Sequence, residues 1–121
     1  AEMMLRIAPA AEVMAITSNL SAPVAGVLST YGITNVSAIW GCDVERSKVA
    51  KIKRAIGAWT GGEVFYVGDT VGDIIEGRAA GARTIGAAWG WHGHQRLLAA
   101  DPDFLAETPM QVADHVLGMM D

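Results

Sequence analysis

A short apolar run followed by glycines and aspartates constrains the fold of this chain more than any other part of its sequence. Residues 64–67 predict a buried strand, which ends at Gly68 and Asp69. A helical pattern begins near Asp73 and ends at Gly81, because glycine suits the left-handed position after a helix. Asp69 and Asp73 are therefore predicted at the carboxyl end of a strand and in the first turn of the next helix, where open α/β sheets bind ligands.

These two aspartates admit two interpretations. Carboxylate oxygens are the ligands that magnesium prefers, so Asp69 and Asp73 are candidate metal ligands beside a phosphate site. Asp is also common at strand ends and at helix N-termini, where its side chain accepts backbone hydrogen bonds. Because the pattern alone leaves both interpretations open, the surrounding chain has to decide between them.

Composition limits the size of the protein and the kinds of partner it can have. The 121 residues suffice for one domain with one core, and the 51% hydrophobic fraction argues against disorder. A net charge of -4 gives no electrostatic basis for binding nucleic acid or an anionic membrane. No continuous apolar run is long enough to span a membrane. The single cysteine, Cys42, excludes an intrachain disulfide and favours a reducing, cytoplasmic location.

Predicted strands and helices alternate along the chain. Apolar runs predict four strands and one minor strand, at residues 13–16, 36–40, 64–67, 83–88 and 104–105. Helical patterns occupy residues 3–8, 21–31, 47–59, 72–80, 95–100 and 109–120. This alternation predicts an α/β fold of Rossmann-like type, with a parallel sheet covered by helices on both faces and right-handed crossovers.

The helix predicted over residues 47–59 contains the basic cluster of the chain. Its buried face is predicted to consist of Val49, Ile52, Ile56 and Trp59. Lys51, Lys53 and Arg54 lie largely off that face. Lys48 stands in the first turn, where the helix dipole disfavours a cation, and a residue placed against its local preference hints at function. A solvated lysine in a basic helix is the alternative.

Polar side chains follow each predicted strand of the sheet. They occupy residues 17–19, Asp43, residues 69–70 and the loop 89–94. Parallel strands end at one edge of a sheet, so these residues should share one rim. The last loop contains His92 and His94, which are two residues apart and form only a weak metal-binding motif. We interpret them instead as polar residues at the rim of the site. The tryptophans of that loop could line a pocket or pack in the core.

Taken in order, several of these segments resemble the haloacid dehalogenase superfamily, and in particular its phosphoglycolate-phosphatase-like members. They are residues 16–19 (ITSN), 47–48 (SK), 67–73 (VGDTVGD), 84–86 (TIG), 89–90 (WG) and 102–103 (PD). The resemblance covers nearly the whole chain, and residues 68–81 followed by 84–86 are its most specific part. It implies a magnesium-dependent phosphatase that acts on a small phosphorylated metabolite through an aspartyl-phosphate intermediate.

The resemblance also implies roles for individual residues. Asp69 and Asp73 would hold the Mg²⁺ ion, directly or through water. Thr17 would donate its hydroxyl group to a phosphoryl oxygen, with Ser18 and Asn19 beside it in the substrate site. Asp69 and Asp73 are thus the predicted metal ligands, Ser18 and Asn19 are the predicted substrate-binding residues, and Thr17 is a predicted catalytic residue.

A cation completes the site that the resemblance implies. Lys48 would neutralise the phosphate and the attacking carboxylate, and Lys51 would replace it if the helix register were off by one turn. The aspartate pair Asp101 and Asp103 has the spacing of the family's nucleophile motif but follows no apolar strand, so we do not assign it as the nucleophile.

The family's first motif, Asp-x-Asp-x-Thr or Asp-x-Asp-x-Val on a central strand, has no match in this sequence. In the family's sheet order that strand lies between the strands that end at Thr17 and Asp69. Each unpaired buried backbone group costs about 1–3 kcal/mol, against a typical net stability of about 5–15 kcal/mol. We therefore expect a core fragment without nucleophile strand or cap domain, inactive alone, and completed by a missing segment or by a neighbouring copy in a homo-oligomer.

Two rival functions stay open on the sequence. One is a non-catalytic fragment or regulatory module that keeps the fold and binds phosphate or metal. The other is a receiver-like or nucleotide-binding α/β module, although residues 68–77 are a poor glycine fingerprint for it. An Asp-x-Asp strand upstream of this sequence would favour the enzyme over the first rival.

Overall fold

The computed structural model describes residues 2–7, 12–16, 26, 29–30, 36–41, 47–59 and 61–120. Thr17, Ser18, Asn19, Cys42 and Asp43 lie outside the described residues. Of the helix predicted over residues 21–31, only residues 26, 29 and 30 are described, and all three are helical. Within the described residues, no helix has the length and apolar character needed to cross a membrane.

Strands and helices alternate as the apolar pattern predicts. The described strands are β1 (Val13–Ile16), β2 (Val36–Trp40), β3 (Phe65–Gly68), β4 (Arg83–Ala87) and β5 (Phe104–Ala106). The described helices are α1 (Glu2–Ile7), α2 (Lys48–Ala58), α3 (Val71–Ala80), α4 (Gly93–Ala99) and α5 (Pro109–Met120). Their bounds lie within two residues of the predicted ones wherever the structure describes the element.

All of these strands run parallel to their neighbours. β1 pairs with β2, and β3, β4 and β5 pair in that order in a second sheet. Val67 stands opposite Ile85, and Gly68 stands opposite Gly86. The predicted parallel α/β fold is therefore confirmed. In the part of the chain that the structure describes, no backbone ladder joins β1 to β3, so each of them is an edge strand.

Helix α3 begins and ends at residues whose side chains explain its bounds. Thr70 is the N-cap, and its hydroxyl oxygen accepts the backbone N–H of Asp73 at 3.0 Å. The Asp73 carboxylate in turn accepts the N–H of Thr70, which completes a capping box. Gly81 follows the helix with φ 94°, a left-handed conformation that glycine adopts without steric cost. The predicted strand, turn and helix of this stretch are thus present.

Two apolar clusters hold the layers together. The larger one packs α1 and α5 on the second sheet and comprises Ile7, Ile85, Ala106, Val112, Ala113 and Val116. The smaller one joins α2 to α3 and contains Ile52, Ala80 and Ala82. Burial of a side chain the size of Ile85, which is fully covered, contributes about 1.5–3 kcal/mol to folding. The second cluster fixes α2 beside α3, which sets the position of the first residues of both helices.

The buried face of α2 differs from the predicted one at two positions. Lys51, predicted to lie largely off that face, is 0% exposed, whereas Trp59, predicted to be buried, is 41% exposed. Trp59 is the C-cap residue in an extended conformation, so helical periodicity no longer applies to it. Lys51 directly precedes the buried Ile52 in α2, a helix that packs against α3 and β1, and hydrophobic periodicity does not detect a buried lysine of this kind.

His115 of α5 is half-buried between aromatic rings. Its imidazole stacks on Phe104 with a centroid distance of 4.1 Å and meets Phe65 edge-on at 6.2 Å. The two phenylalanines belong to β5 and β3, so this side chain joins α5 to both outer strands of the second sheet. Hydrophobic periodicity misses it because histidine counts as polar, although its ring packs well against aromatic faces.

Candidate active site

A cleft of about 350 Å³ opens where β1, β3 and β4 end. Its lining residues are Ile16, Lys48, Tyr66, Val67, Gly68, Asp69, Asp73, Ala87 and Trp89. The structure thus brings together the three described residues that sequence reasoning assigned to the site, Lys48, Asp69 and Asp73. Thr17 follows Ile16 in sequence but lies outside the described residues, as do Ser18 and Asn19. The chemical roles of all six stay predictions.

Asp73 is a helix-capping residue and a cleft carboxylate at once. Its Oδ1 atom accepts a hydrogen bond from the Lys48 ammonium at 2.9 Å. Its Oδ2 atom accepts the backbone N–H groups of Asp69 at 3.2 Å and Thr70 at 3.3 Å. The capping interpretation of Asp73 is therefore confirmed, and its role as a metal ligand stays a prediction. Of the two candidate lysines, Lys48 is the one seen to line the cleft and to contact Asp73.

The electrostatic surroundings of Asp73 favour its charged form. Burial raises the pKa of the carboxyl group, but the hydrogen bond and positive charge of Lys48, with hydrogen bonds from Thr70, outweigh burial and hold the pKa below its ordinary value. A residue that is 6% exposed thus stays ionised because its neighbours compensate its charge. This buried pair fixes the Lys48 ammonium at the wall of the cleft.

Asp69 presents one carboxylate oxygen that none of the described residues uses as an acceptor. Its Oδ2 atom accepts the backbone N–H of Trp91 at 3.0 Å, while Oδ1 accepts no hydrogen bond from the residues that the structure describes. The side chain lines the cleft. A free carboxylate oxygen at a cleft wall is a suitable magnesium ligand, since Mg²⁺ binds one or two protein carboxylates and keeps several waters. The described residues contain no larger group of three acidic, histidine or cysteine side chains placed to hold a metal ion.

Two glycines make room for the two carboxylates. A Cβ atom built at Gly68 would lie 2.3 Å from Cβ of Asp73, and one at Gly90 would lie 2.3 Å from Cβ of Asp69. Real Cβ atoms do not approach each other so closely. The resemblance in sequence marked both glycines as part of motifs, and the structure gives the physical reason: any side chain at either position would displace an aspartate.

Tyr66 is a cleft residue that sequence reasoning missed. It lies on β3, lines the cleft and packs its ring over Gly77 of α3. Burial raises the pKa of the phenol well above its ordinary value, and the negative charges of Asp73, Glu76 and Asp69 raise it further. The hydroxyl group therefore keeps its proton and can donate a hydrogen bond. The sequence feature that could have indicated this residue is its place in the apolar strand that ends at Gly68 and Asp69.

The aromatic and histidine side chains of the β4–α4 loop do not converge. Trp89 lines the cleft and is 46% exposed, whereas Trp91 is 83% exposed and is absent from the cleft wall. His92 accepts the N–H of Val71 through Nδ1, and His94 contacts Glu107. The two histidines face different partners, which agrees with their interpretation as rim residues rather than a metal pair.

The aspartate pair at residues 101 and 103 lies at the other end of the second sheet. Asp103 Oδ2 accepts the backbone N–H of Thr84 at 2.7 Å, and its own N–H donates to the Thr84 hydroxyl oxygen at 3.1 Å. Thr84 is three residues before Ala87, so at a rise of about 3.3 Å per residue these contacts lie roughly 10 Å from the cleft edge. Asp103 therefore connects the beginning of β5 to the beginning of β4 by hydrogen bonds.

Curated proteins that are similar to this chain are named as phosphatases. No protein-family model matches the chain. The phosphoglycolate phosphatase of Synechococcus elongatus is 37% identical over 62 residues, which are 51% of this chain and 29% of that protein. Pyrophosphatase PpaX of Bacillus velezensis is 37% identical over 57 residues, 47% of this chain and 26% of that protein. The chain thus spans less than a third of the length of these relatives.

Two solved structures share the fold. A haloacid dehalogenase-like hydrolase from Streptococcus pneumoniae has a TM-score of 0.84 at 19% identity, over 95% of this chain and 57% of that protein. A proposed phosphatase from Clostridium difficile has a TM-score of 0.79 at 20% identity, over 94% and 57%. At such identities the likeness shows the fold alone. The chain is thus similar in fold to a haloacid dehalogenase-like hydrolase and, over about half of its own length, similar in sequence to a phosphoglycolate phosphatase.

Proposed function

We propose that this chain supplies the metal-binding and phosphate-binding part of a magnesium-dependent phosphomonoesterase that acts on a small phosphorylated metabolite. The observation that carries the proposal is the convergence of Lys48, Asp69 and Asp73 on one cleft at the carboxyl edge of a parallel sheet. A cation held beside a free carboxylate oxygen suits a phosphoryl group and its metal ion. Relatives similar to this chain are named phosphoglycolate phosphatase and pyrophosphatase, which belong to the same class of reaction.

Each described side chain has a separate task in this proposal. Asp69 would hold Mg²⁺ through the oxygen that no described residue uses, and the bound ion would neutralise charge on the phosphoryl oxygens. Lys48 places its ammonium at the cleft wall, where it offsets the negative charge of the phosphate. Asp73 orients Lys48 through one oxygen and the backbone of residues 69 and 70 through the other. The protonated hydroxyl of Tyr66 provides a neutral donor on the same wall.

The nucleophile is proposed to come from a strand that lies between β1 and β3. Ile16 of β1 and Val67 of β3 line the same cleft, and Val67 is 38% exposed although it belongs to an apolar strand. Both strands are edges in the described structure, so their outer backbone groups are available for pairing. An inserted strand bearing Asp-x-Asp-x-Thr would carry its first aspartate to the cleft, where it could form the aspartyl-phosphate.

A complementation assay tests this function. The chain is mixed with a synthetic peptide of five apolar residues followed by Asp-x-Asp-x-Thr, with Mg²⁺ and p-nitrophenyl phosphate. We expect no turnover by the chain alone and measurable turnover with the peptide, because the peptide restores both the ladder and the nucleophile. A peptide with Asn in place of the first Asp is the matched control and should bind without restoring turnover.

Two results of the assay would contradict the proposal. Turnover by the chain alone, at the same rate with and without the peptide, would place the nucleophile elsewhere. Binding of the peptide without turnover, in the presence of saturating Mg²⁺, would favour the non-catalytic module that binds phosphate or metal. Binding is measured separately, by the fluorescence anisotropy of a labelled peptide.

A further inference from the structure

His92 occupies the N-cap position of α4, yet its side chain does not cap that helix. Residues at this position usually accept a hydrogen bond from the first turn of their own helix. The Nδ1 atom of His92 instead accepts the backbone N–H of Val71 at 2.9 Å. Val71 is the first residue of α3, so the imidazole caps a helix 21 residues away in sequence.

The main chain beside His92 holds Asp69 at two further points. The N–H of Trp91 donates to the Asp69 carboxylate at 3.0 Å, and the N–H of His92 donates to the Asp69 carbonyl oxygen at 3.1 Å. Gly90 packs directly against the Asp69 side chain. Three consecutive residues of the β4–α4 loop, 90–92, thus contact the segment from Asp69 to Val71.

We propose that His92 is a positioning residue for the Asp69 carboxylate. The hydrogen bond from the Val71 N–H to Nδ1 adds to those that Trp91 and His92 donate to Asp69. Together these bonds fix the β4–α4 loop relative to residues 69–71. The inference rests on the proposed function, because Asp69 is the residue expected to hold the metal ion. Partners that orient a metal ligand from outside the coordination shell commonly affect metal affinity strongly.

The geometry distinguishes this role from that of a ligand or a general base. In the neutral ring, an Nδ1 atom that accepts an N–H leaves the proton on Nε2, so neither nitrogen offers a free lone pair in this arrangement. His92 is also not one of the residues that line the cleft. The role therefore requires only an acceptor atom at the position of Nδ1. An asparagine side chain can place its Oδ1 atom near that position, whereas alanine supplies no acceptor.

The test compares the unaltered chain with His92→Asn and His92→Ala. The first readout is NMR: we expect a scalar coupling across the N–H···N bond between Val71 and His92 in the unaltered chain. Exchange of the Val71 amide proton should stay slow in His92→Asn and become faster in His92→Ala. The second readout is calorimetric titration with Mg²⁺ alone, where His92→Ala should bind about tenfold more weakly and His92→Asn close to the unaltered affinity.

The two readouts separate this inference from the proposed function. Equal Val71 exchange in all three proteins, or no coupling to His92, would overturn the positioning role. So would a Mg²⁺ affinity in His92→Asn as weak as that of His92→Ala while its Val71 amide stays protected, since the imidazole itself would then be required. If the unaltered chain bound no Mg²⁺, the proposed function would fail, and the positioning of Asp69 would be decided by the Val71 exchange rates.

Discussion

Gly90→Ala is expected to displace Asp69 from the cleft and to abolish the metal binding proposed for it. The new Cβ atom would lie 2.3 Å from Cβ of Asp69 and 2.5 Å from its Oδ2 atom. The nearest of these atoms is bonded directly to the backbone, so a rotamer change cannot relieve the contact and the loop of residues 69–71 has to move. We expect a loss of about 1–3 kcal/mol in the free energy of unfolding, by urea denaturation, and no measurable Mg²⁺ binding by calorimetry.

Gly57→Ala is the matched control for this substitution. A Cβ atom at Gly57 would meet nothing within 4 Å, and the residue is exposed on α2. Because alanine favours helix, the control should leave Mg²⁺ binding unchanged and stabilise the chain by up to about 1 kcal/mol. If Gly90→Ala behaved like Gly57→Ala in both measurements, the close packing of the β4–α4 loop on Asp69 would be wrong.

Lys48→Met is expected to destabilise the chain at neutral pH by about 2 kcal/mol, because it removes the cation that compensates a buried carboxylate. The Lys48 and Asp73 side chains are only 23% and 9% exposed, so solvent screens the pair weakly. The estimate is below the cost of breaking a fully buried pair, because Asp73 keeps its hydrogen bonds from two backbone N–H groups. Urea denaturation at pH 7 measures the effect.

The pH dependence of this effect has a definite sign. The folded-state pKa of Asp73 is lowered, so its contribution to stability is present above the unfolded-state pKa of about 3.9 and is lost as the pH falls through the folded value. The difference between the unaltered chain and Lys48→Met should therefore shrink as the pH falls below about 3.9. Lys53→Met, on the exposed side of the same helix, should show no such difference at any pH. A constant difference across this range would contradict the ion pair.

Elements with a strong local signal were predictable from the sequence. The stretch around Asp69 combines an apolar strand, a Thr70 cap and a terminal Gly81, and each of these local preferences agrees with the parallel α/β fold. Lys48 was identified because a cation in the first turn of a helix opposes the helix dipole. The structure explains that placement by the bond to Asp73, which lies 25 residues away in sequence.

Features that depend on tertiary contact were not predictable in the same way. The burial of Lys51 follows from which side of α2 meets its neighbours, and hydrophobic periodicity assigns a lysine to the opposite side. The acceptor role of His92 requires two loops to be adjacent, and no spacing rule encodes that. Tyr66 was passed over because a tyrosine in an apolar strand is common and its proximity to three carboxylate groups is a property of the fold.

We expect this edge of the sheet to bind a divalent cation through Asp69. Calorimetric titration of the chain with Mg²⁺ tests this expectation most directly, with Asp69→Asn as the altered protein and Asp114→Asn as the control, since Asp114 is exposed and pairs with Arg6 on another surface. We expect binding to the unaltered chain, the same affinity in Asp114→Asn, and a loss of at least about tenfold in Asp69→Asn. Equal affinity in all three proteins, or no binding to any of them, would contradict it.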